Sequence, residues 1–474
     1  MGLGFIDTKG QKTKNKDKKM EKIELVAPAG GINQLKAAIA AGADGIYLGY
    51  EGYNARSYAQ NFNLDELKFA VSYSHSKNVK AYLTFNTIIK EKELSEVINL
   101  ISNILLNIDF DGIIIQDLAL LKIIKNIKPD IPVHASTQMN IHNSLSLEFL
   151  KKIGIERTIL AREMTFEEMS LITKKDIMDI EIFCHGSQCY SYSGQCYFSS
   201  FVGGKRSGNR GTCPQPCRMK YEFIAENEKL KGNQSSGYLL SKCDLILLHR
   251  LPEIINAGVR ALKIEGRMKT PEYVGVVTKI YRNYIDLYYK NPSNYVVAED
   301  DLYKIRQIFS RDMNEGYFLE QYTKNIISFT KSGSTGNFFG RILKIESNDN
   351  NKKNNNRNNK NKNNDDKNNK GSKFIYVKSN IQLSKNDILE VWTKKGNERI
   401  VVKDFSIIED MEDLKSNKKA KNKNKNETKK DNKKLYKIKV PKKCYLGIND
   451  RIFKYFDYKL DREAKSLYEY EAKI

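Results

Sequence analysis

The sequence predicts an α/β protein: a (β/α)8 barrel of the TIM type with a cysteine-rich insertion after its seventh strand, then a small C-terminal antiparallel β-barrel domain. From residue 22 onward, short apolar runs alternate with segments of helical periodicity, an order typical of parallel strands covered by helices. Eight such strand and helix pairs in one chain favour a closed barrel over an open, doubly wound sheet. From about residue 336 the pattern changes to short alternating runs, which indicates an antiparallel sheet.

The predicted barrel strands are eight apolar runs separated by polar or amphipathic segments. In order, they begin at Ile23, Gly45, Lys80, Gly112, Pro132, Arg157, Ile180 and Ala261. The connection between the seventh and the eighth run is longer than the others and contains most of the cysteines. We therefore expect one large insertion in a barrel whose other connections are short.

Composition divides the 474 residues into three parts. We expect a disordered leader at 1–21, the barrel with its flanking helices at 22–330, and the β domain at 331–474. Asn/Lys-rich tracts at about 347–373 and 413–434 contain almost no apolar residues that a core could bury. These tracts are therefore expected to be disordered insertions within the β domain.

The formal net charge of +23 resides mainly in low-complexity tracts. Three Lys-rich tracts, at 9–19, 349–373 and 415–434, together carry +18 of that charge. The part of the chain that is expected to fold is thus only mildly basic, which is weak evidence for a nucleic-acid groove on the fold. The tracts themselves either raise the rate of encounter with RNA or have no function of their own.

The sequence contains no recognisable secretory signal and no apolar run of membrane-spanning length. We therefore expect a cytoplasmic location and no membrane partner. Because cytoplasmic thiols are normally reduced, clustered cysteines there indicate metal or redox chemistry rather than disulfides.

Polar residues follow the predicted strands at the points where barrel enzymes carry their active sites. Catalytic residues of TIM-type barrels lie on the C-terminal face, where strands end and loops begin. Core packing does not require polar side chains there, so their convergence on one rim indicates a ligand site. These residues are Asn86, Gln116, Asp117, Ser136, Thr137, Gln138, Arg162, Glu163, His185, Glu265 and Arg267.

Strand periodicity assigns several of these side chains to a face. In the seventh strand, alternation places His185 on the same face as Glu181 and Phe183, and places Cys184 on the opposite face, beneath the covering helices. In the eighth strand, alternation puts three charged side chains on the inward face, where they must pair with each other or with a ligand. The three are Lys263, Glu265 and Arg267.

The cysteines after the seventh strand leave several chemistries open. They lack the paired C-x2-C knuckles of a zinc ribbon, so structural zinc is an alternative but is not favoured. A papain-like nucleophile, such as Cys189 with His185 as its base, would need only one cysteine. Four thiolates from a Gly-rich loop and later segments suit a [4Fe-4S] cluster, whose ligands need no regular spacing. The spacing thus favours iron-sulfur over zinc and over reduced or catalytic thiols.

The stretch "EIFCHGSQCYSYSGQCYFSSFVGGKRSGNRGTCPQPCR" resembles the signature of the U32 peptidase, or collagenase-like protease, family. Further motifs similar to those of the family occur in the same order: "ELVAPAGGINQLKAAIAAGADGIYLG", "NARSYAQNF", "STQMNIHN", "LAREMTFEE", "LKIEGRMKTPEYV" and "FSRDMNEGYF". The resemblance spans about residues 22 to 330, and the β region is similar to the C-terminal domain of the family.

The resemblance implies either hydroxylation of RNA or proteolysis. Some members of the family are linked to hydroxylation of RNA pyrimidines, such as the tRNA wobble uridine or an rRNA pyrimidine, with prephenate as the oxygen source. In those members four cysteines hold a [4Fe-4S] cluster. By motif position, the ligands here are Cys189, Cys196, Cys213 and Cys243, with Cys217 as the alternative fourth ligand.

The expected site combines the cluster with an anion pocket at the barrel mouth. Arg forks bind carboxylates in a bidentate manner, so a dicarboxylate such as prephenate would suit the pocket. Glu163 or Glu265 would move protons, and His185 would act as a base or as a donor to the cluster ligands. The predicted substrate-binding residues are Arg56, Gln138, Arg162, Lys263 and Arg267. The alternatives are a peptidase that uses Cys189 with His185, and an accessory subunit without catalytic activity.

Overall fold

The computed structural model describes most of the barrel and the β domain. The described residues are 22–224, 236–319, 326–347, 373–408 and 433–469. The predicted leader at 1–21 lies outside them, as does nearly all of the tracts at 347–373 and 413–434.

Eight parallel strands form the closed barrel that the sequence predicts. The strands of this first region are β1 (Glu24–Pro28), β2 (Gly45–Gly49), β3 (Lys80–Phe85), β4 (Gly112–Ile115), β5 (Val133–Ala135), β6 (Arg157–Ile159), β7 (Asp179–Ser187), β8 (Tyr221–Glu222), β9 (Ser236–Gly237), β10 (Asp244–Ile246), β11 (Ala261–Ile264) and β12 (Met313–Asn314). Strands β1 to β7 pair in sequence order, and β11 pairs in parallel with both β7 and β1. Ala261 lies opposite Glu24 on one side and Glu181 on the other, which closes the barrel.

Helices connect the strands and cover the outside of the barrel. They are α1 (Ile32–Ala40), α2 (Leu64–Ser76), α3 (Leu94–Asn107), α4 (Leu118–Ile127), α5 (Ser144–Lys152), α6 (Phe166–Thr173), α7 (Phe198–Val202), α8 (Leu251–Asn256), α9 (Pro271–Lys290) and α10 (Glu299–Ile308). Local sequence sets their starts: Asn63 and Glu66 form a reciprocal capping box at α2, and Thr270 caps α9 just before Pro271. No helix in these ranges has both the length and the apolar composition that crossing a membrane requires.

The barrel interior contains a buried network of charges. Arg157 Nη2 lies 2.9 Å from Glu24 Oε2, and Arg157 Nη1 lies 3.4 Å from Glu181 Oε2. Lys263 Nζ lies 2.7 Å from Glu181 Oε1. Each of these four side chains comes from a different strand, so the network joins β1, β6, β7 and β11. Buried charges are tolerated because each is paired.

A β-bulge in β7 changes the face on which His185 lies. Phe183 is opposite Lys263, but His185 is opposite Ile264, so Cys184 is the additional residue. Cys184 is buried in the core between the strands and the helices, which confirms its predicted position. The His185 ring packs instead against Tyr273 and Tyr281 of α9. The prediction that His185 shares the inward face was therefore wrong, because the extra residue breaks the alternation.

The C-terminal region forms the predicted antiparallel β domain. Its strands are β13 (Asn337–Ser347), β14 (Lys373–Ser379), β15 (Ile388–Thr393), β16 (Gly396–Val401), β17 (Phe405–Ile408), β18 (Lys434–Val440) and β19 (Arg451–Phe456), in the spatial order β16-β15-β19-β13-β14-β18-β17. The long strand β13 pairs with β19 through its first half and with β14 through its second half. Both halves of the sheet therefore enclose one apolar core.

A last helix, α11 (Tyr458–Glu469), returns from the β domain to the barrel. It packs against α1 and α9, and Tyr468 donates a hydrogen bond of 2.5 Å to Glu272 of α9. A Cβ on Gly275 of α9 would lie 2.7 Å from Leu467, so glycine permits this close packing. The two domains are thus joined by packed helices as well as by the chain.

Removing one member of the buried charge network should destabilise the fold strongly. Glu181→Ala would leave Lys263 and Arg157 buried without their shared partner, which should lower the free energy of unfolding by about 3–5 kcal/mol. The control is Asp109→Ala, which removes an exposed ion pair with Lys128 and should cost at most about 1 kcal/mol. Urea denaturation measures both changes, and equal losses would contradict this account.

Candidate active site

A cavity of about 470 Å³ opens at the C-terminal ends of the barrel strands. The segment between β7 and β11 covers it, and four cysteines of that segment line it: Cys189, Cys196, Cys213 and Cys217. None of the chain's seven cysteines, all of which lie in the described ranges, forms a disulfide. The structure therefore brings four thiols together above the barrel mouth.

Cys243, the predicted fourth ligand, lies outside this cavity. Its residue is 2% exposed, and its carbonyl oxygen accepts a hydrogen bond of 3.1 Å from Gln188 Nε2. Burial raises the pKa of its thiol to about 12. Cys217, the alternative fourth ligand, is the cysteine that lines the cavity with the other three. The role of each as a ligand stays a prediction.

The environment of Cys196 favours its thiolate. Burial opposes ionisation there, but hydrogen bonds with Ser199 and Ser191 outweigh it and lower the pKa of the thiol. The Cys196 Sγ lies 3.4 Å from Ser199 Oγ. By contrast, burial raises the pKa of Cys213, and raises that of Cys217 to about 11. A bound cation would be needed to hold these two thiols ionised at neutral pH.

Two glycines allow the cysteine-bearing loops to approach the barrel rim. Gly194 has φ +71°, and a Cβ there would lie 2.0 Å from the carbonyl oxygen of Gln138. Gly211 has φ +76°, and its Cβ would lie 2.0 Å from the carbonyl oxygen of Asn54. Any other residue would force these loops outward, because backbone atoms cannot move aside as a flexible side chain can.

Glu163 anchors the first of these loops. Its carboxylate accepts hydrogen bonds from the backbone N–H of Ser193 and, at 2.8 Å, from the hydroxyl of the same residue. Glu163 does not line the cysteine cavity, so the geometry gives it a positioning function. Its predicted function in proton transfer stays a prediction.

The second loop, "SGNRG", is held by the loops that follow β2 and β3. Arg210 Nη1 lies 2.9 Å from a carboxylate oxygen of Glu93, and Nη2 binds the other oxygen. Ser57 donates a hydrogen bond of 2.6 Å to the carbonyl oxygen of Gly211. These contacts fix the backbone just before Cys213.

Glu265 lies between the two arginines of the barrel mouth. Its Oε2 atom is 3.1 Å from Arg56 Nη2 and 3.1 Å from Arg162 Nη2. Burial alone would raise the pKa of Glu265, but these two guanidinium groups hold it below its usual value. Glu265 is therefore ionised at neutral pH, and one carboxylate is shared by two cations.

The other two predicted cations lie deeper and already have protein partners. Arg267 Nη1 donates to Asn54 at 3.0 Å and to Thr84 at 2.9 Å, while Lys263 is paired with Glu181. Both line a smaller space of about 50 Å³ that Arg56, Arg162 and Glu265 also line. The predicted inward position of Lys263, Glu265 and Arg267 is thus confirmed. The predicted anion pocket, however, consists of two spaces, the cysteine cavity and the smaller space below it, and Lys263 and Arg267 line only the smaller one.

Gln138 lies in an amide network at the ends of β3, β4 and β5. Its Nε2 atom donates to Gln116 Oε1 at 2.7 Å and to the carbonyl oxygen of Asn86 at 3.2 Å. Gln138 lines both the cysteine cavity and the smaller space below it. Its predicted contact with substrate stays a prediction.

His185 is buried away from the thiols. Burial, followed by the nearby charge of Lys269, lowers the pKa of the imidazole to about 3, so the ring is neutral at physiological pH. Its Nδ1 atom lies 3.4 Å from the hydroxyl oxygen of Tyr281, and its Nε2 atom has no hydrogen-bond partner among the described residues. His185 does not line the cysteine cavity, so a dyad with Cys189 is not formed in this arrangement.

Three further cations line the cavity and were missed by the sequence reasoning: Arg218, Lys269 and Arg311. Each stands in a motif of the family resemblance, Arg218 directly after Cys217 and Lys269 two residues after Arg267. Burial, reinforced by repulsion from Arg311, lowers the pKa of Lys269 to about 7. Their proximity to the thiols was not visible in the sequence, because it depends on how α9 and the segment before β12 pack.

The charges of the cavity wall suit an anionic occupant. Arg56, Arg162, Arg218, Lys269 and Arg311 line it, and Glu265 is the one acidic side chain among its described lining residues. Thiolates, and iron-sulfur clusters held by four of them, are anionic and gain from such surroundings. No three His, Cys, Asp or Glu side chains in the described ranges are arranged to hold a single metal ion. The predicted [4Fe-4S] cluster and its alternative, zinc, both stay predictions.

The fold and the site thus define a (β/α)8-barrel protein with four thiols and a cationic cavity at the barrel mouth. The model of peptidase family U32 matches residues 30–328, and the chain belongs to that family.

Relatives in the family have names of two kinds. The chain is 30% identical over 384 residues to a tRNA hydroxylation protein of Bacillus subtilis, covering 80% of this chain and 89% of the relative. It is 33% identical to a protein of Porphyromonas gingivalis named collagenase, over 63% of this chain and 74% of that protein. It is 37% identical to a 23S rRNA 5-hydroxycytidine synthase of Escherichia coli, over 56% of this chain and 39% of the relative.

The close approach of Gly211 predicts a local opening when a side chain is added. Gly211→Ala should push the "SGNRG" loop away from Asn54. The clash should cost about 1.4 kcal/mol of loop stability, so the open form and the alkylation rate of Cys213 should both increase about tenfold. Gly204→Ala is the matched control, since its φ is +62° but a Cβ there meets nothing within 4 Å. Mass spectrometry after reaction with N-ethylmaleimide measures both rates. Similar rates in the two variants would show that the contact with Asn54 does not hold the loop.

Proposed function

We propose that this protein hydroxylates pyrimidine bases of RNA, in tRNA or in rRNA. The observation that carries the proposal is the cavity lined by four thiols and five cations at the mouth of the barrel. Relatives that are named for tRNA hydroxylation and for rRNA 5-hydroxycytidine synthesis support the same chemistry. A cytoplasmic location, where such RNA and reduced thiols coexist, is part of this proposal.

Four cysteines of the cavity would hold a [4Fe-4S] cluster: Cys189, Cys196, Cys213 and Cys217. When bound, the cluster supplies one-electron redox chemistry that side chains cannot provide. Ser199 and Ser191 stabilise the thiolate of Cys196, and Arg218 compensates negative charge beside Cys217. This assignment replaces Cys243 by Cys217, because Cys217 lines the cavity and Cys243 does not.

The remaining cations would bind the oxygen source. Replacing a C–H bond of the base by C–OH is a two-electron oxidation that also requires an oxygen donor. We propose that a prephenate-like dicarboxylate serves as both oxidant and oxygen donor: its C–OH bond breaks, its oxygen passes to the base, and the donor carbon takes up hydrogen and the two electrons. Arg56 and Arg162 share Glu265, so the three together keep a net positive charge that can attract a carboxylate. Lys269 lines the same cavity and, in its protonated form, would bind a second carboxylate group beside Arg311, which also pairs with Asp244 at 3.0 Å.

The polar side chains between these cations would position the reacting base. Gln138 presents an amide to the cavity and to the space below it, and amides can read the hydrogen-bonding edge of a pyrimidine. A volume of about 470 Å³ lies within the usual range for small-molecule sites. Because the target base would have to leave its stack to enter, RNA that is already single-stranded should be the better substrate.

The position of His185 argues against the predicted peptidase dyad of Cys189 and His185. A peptidase of the papain type requires its histidine within hydrogen-bond reach of the thiol. His185 instead packs against Tyr273 and Tyr281, on the helix side of the bulged strand.

Cysteine variants test the cluster and its fourth ligand. After anaerobic purification, Cys189→Ala, Cys196→Ala, Cys213→Ala and Cys217→Ala should each lose most of the iron and sulfide, because each removes a ligand. Cys243→Ala and Cys184→Ala serve as controls and should retain both. Metal analysis with circular dichroism separates ligand loss from unfolding. If Cys243→Ala loses iron and sulfide while Cys217→Ala retains them, Cys243 is the fourth ligand. A colourless protein that contains zinc would contradict the proposed cluster.

Nucleoside analysis of a deletion strain tests the reaction. Mass spectrometry of digested tRNA and rRNA should show the loss of a hydroxylated pyrimidine, restored by the wild-type gene and by the control Lys128→Ala, whose side chain does not line the cavity. Cys196→Ala and Arg56→Ala should not restore it, since each lacks a part of the proposed site. Restoration by both variants would instead indicate an accessory function. Unchanged nucleosides, together with peptide cleavage that Cys189→Ala abolishes, would indicate a peptidase.

A further inference from the structure

Aromatic side chains from neighbouring strands share one outer face of the β domain. Strand alternation directs Val391 and Ile452 into the apolar core, so Trp392 of β15 and Phe453 of β19 point to the other side. The aromatic side chains of this outer face are Phe338, Trp392, Phe453 and Tyr455. Below, this set is called the aromatic face.

Three rings of the aromatic face, those of Trp392, Phe453 and Phe338, form a continuous row. The ring centres of Trp392 and Phe453 are 4.5 Å apart, and those of Phe453 and Phe338 are 5.5 Å apart. Phe338 is 51% exposed, although a phenylalanine on a strand usually buries its ring. Trp392, Phe453 and Tyr455 are half-buried, so Phe338 offers the most open ring surface on which a planar group can stack, and the other rings offer partly open faces beside it.

Arginines surround this row. Arg399 of β16 lies over the ring of Tyr455, with its guanidinium carbon 4.0 Å from the ring centre. Arg341 and Arg451 are directly opposite each other on β13 and β19, and both are exposed. Like charges directly across a strand pair destabilise a sheet, so an anion bound between them would relieve the repulsion.

The carboxylate of Glu390, which contacts Trp392, is already neutralised. Glu390 is 2.6 Å from Lys331 Nζ and 3.0 Å from Arg399 Nε, and it accepts a hydrogen bond of 3.0 Å from Trp392 Nε1. These contacts fix the indole ring in place. They leave the excess positive charge of the face available to a polyanion.

We propose that the aromatic face binds unpaired RNA nucleotides, with bases stacked on its rings and phosphates on Arg341, Arg399 and Arg451. Rows of aromatic side chains on a sheet, flanked by arginines, are suited to single-stranded RNA, because every base has a face that can stack. This inference rests on the proposed function, since it takes RNA to be the substrate. It assigns the nucleotides outside the reacting one to a second site.

Hydrogen bonds connect this second site to the cysteine cavity. Ser328 donates to the carboxylate of Asp312 at 2.8 Å, and Asp312 directly follows Arg311 of the cavity wall. Three residues after Ser328, Lys331 reaches Glu390 beneath Trp392. These contacts hold the segment that supports Trp392 against the wall of the cavity.

The chain's single tryptophan, Trp392, makes the proposal directly measurable. Titration with a fluorescein-labelled oligouridylate of about 12 nucleotides, a length typical for single-strand sites, should quench its emission. The midpoint should coincide with that of fluorescence anisotropy. Oligouridylate binding that leaves the emission unchanged would overturn the proposal. The proposal would also be overturned if the emission of the free protein changed with its concentration and sedimentation showed a dimer, because a second copy of the chain would then cover the aromatic face.

Two kinds of variant distinguish base stacking from electrostatic attraction to the phosphates of RNA. Phe338→Ala should weaken oligouridylate binding about tenfold, within the usual effect of losing one stacked base. The control is Phe149→Ala on α5, which removes a phenylalanine that is 55% exposed on the barrel and should leave binding unchanged. Arg451→Ala should reduce the salt dependence of log Kd by about one unit, because one phosphate contact is lost. Equal affinities of the two phenylalanine variants would contradict the inference.

The binding measurements do not require hydroxylation. If the deletion strain keeps its hydroxylated pyrimidines while oligouridylate quenches Trp392 and Phe338→Ala binds weakly, the proposed reaction fails and the aromatic face remains an RNA site. If hydroxylation is lost on deletion but Phe338→Ala and Phe149→Ala bind alike, the reaction stands and the aromatic face has no part in RNA binding.

Discussion

The position of β11 in the barrel is the constraint on which the candidate site depends. This strand must pair with β7 on one side and with β1 on the other, so the whole segment between β7 and β11 has to leave the barrel and return to it. Its thiols are thereby held over the C-terminal ends of the strands. The contacts of Glu163, Arg210 and the close-packed glycines determine how tightly the loops lie on the rim.

Electrostatics organises the barrel in two layers with different consequences. In the interior, cations and carboxylates from separate strands neutralise each other and stabilise the closed form. At the mouth, cations outnumber carboxylates, and Glu265 is shared by two arginines. The excess positive charge does not stabilise the fold, because like charges repel, but it stabilises thiolates and anionic ligands. The charge-balanced interior thus stabilises the barrel, and the positively charged mouth is the part that is available for chemistry.

The sequence predicted the strands of the barrel closely, and it predicted a site at their C-terminal ends. It was less reliable where one residue or one packing contact determines the outcome. The bulge at Cys184 moved His185 out of the barrel interior, and alternation alone could not reveal it. Similarly, Cys217 and Cys243 were both plausible fourth cysteines, since spacing along the chain does not determine which thiol faces the cavity.

Hydrophobic periodicity is a local property, and it was sufficient for the barrel, the β domain and the inward face of Lys263, Glu265 and Arg267. Motifs along the chain were sufficient for the family. Long-range packing determined the rest: which four thiols share a cavity, which cations are already paired, and which aromatic side chains form one outer face. Each of these depends on contacts between residues far apart in the chain, where charge pairing and shape fit, rather than periodicity, select the arrangement.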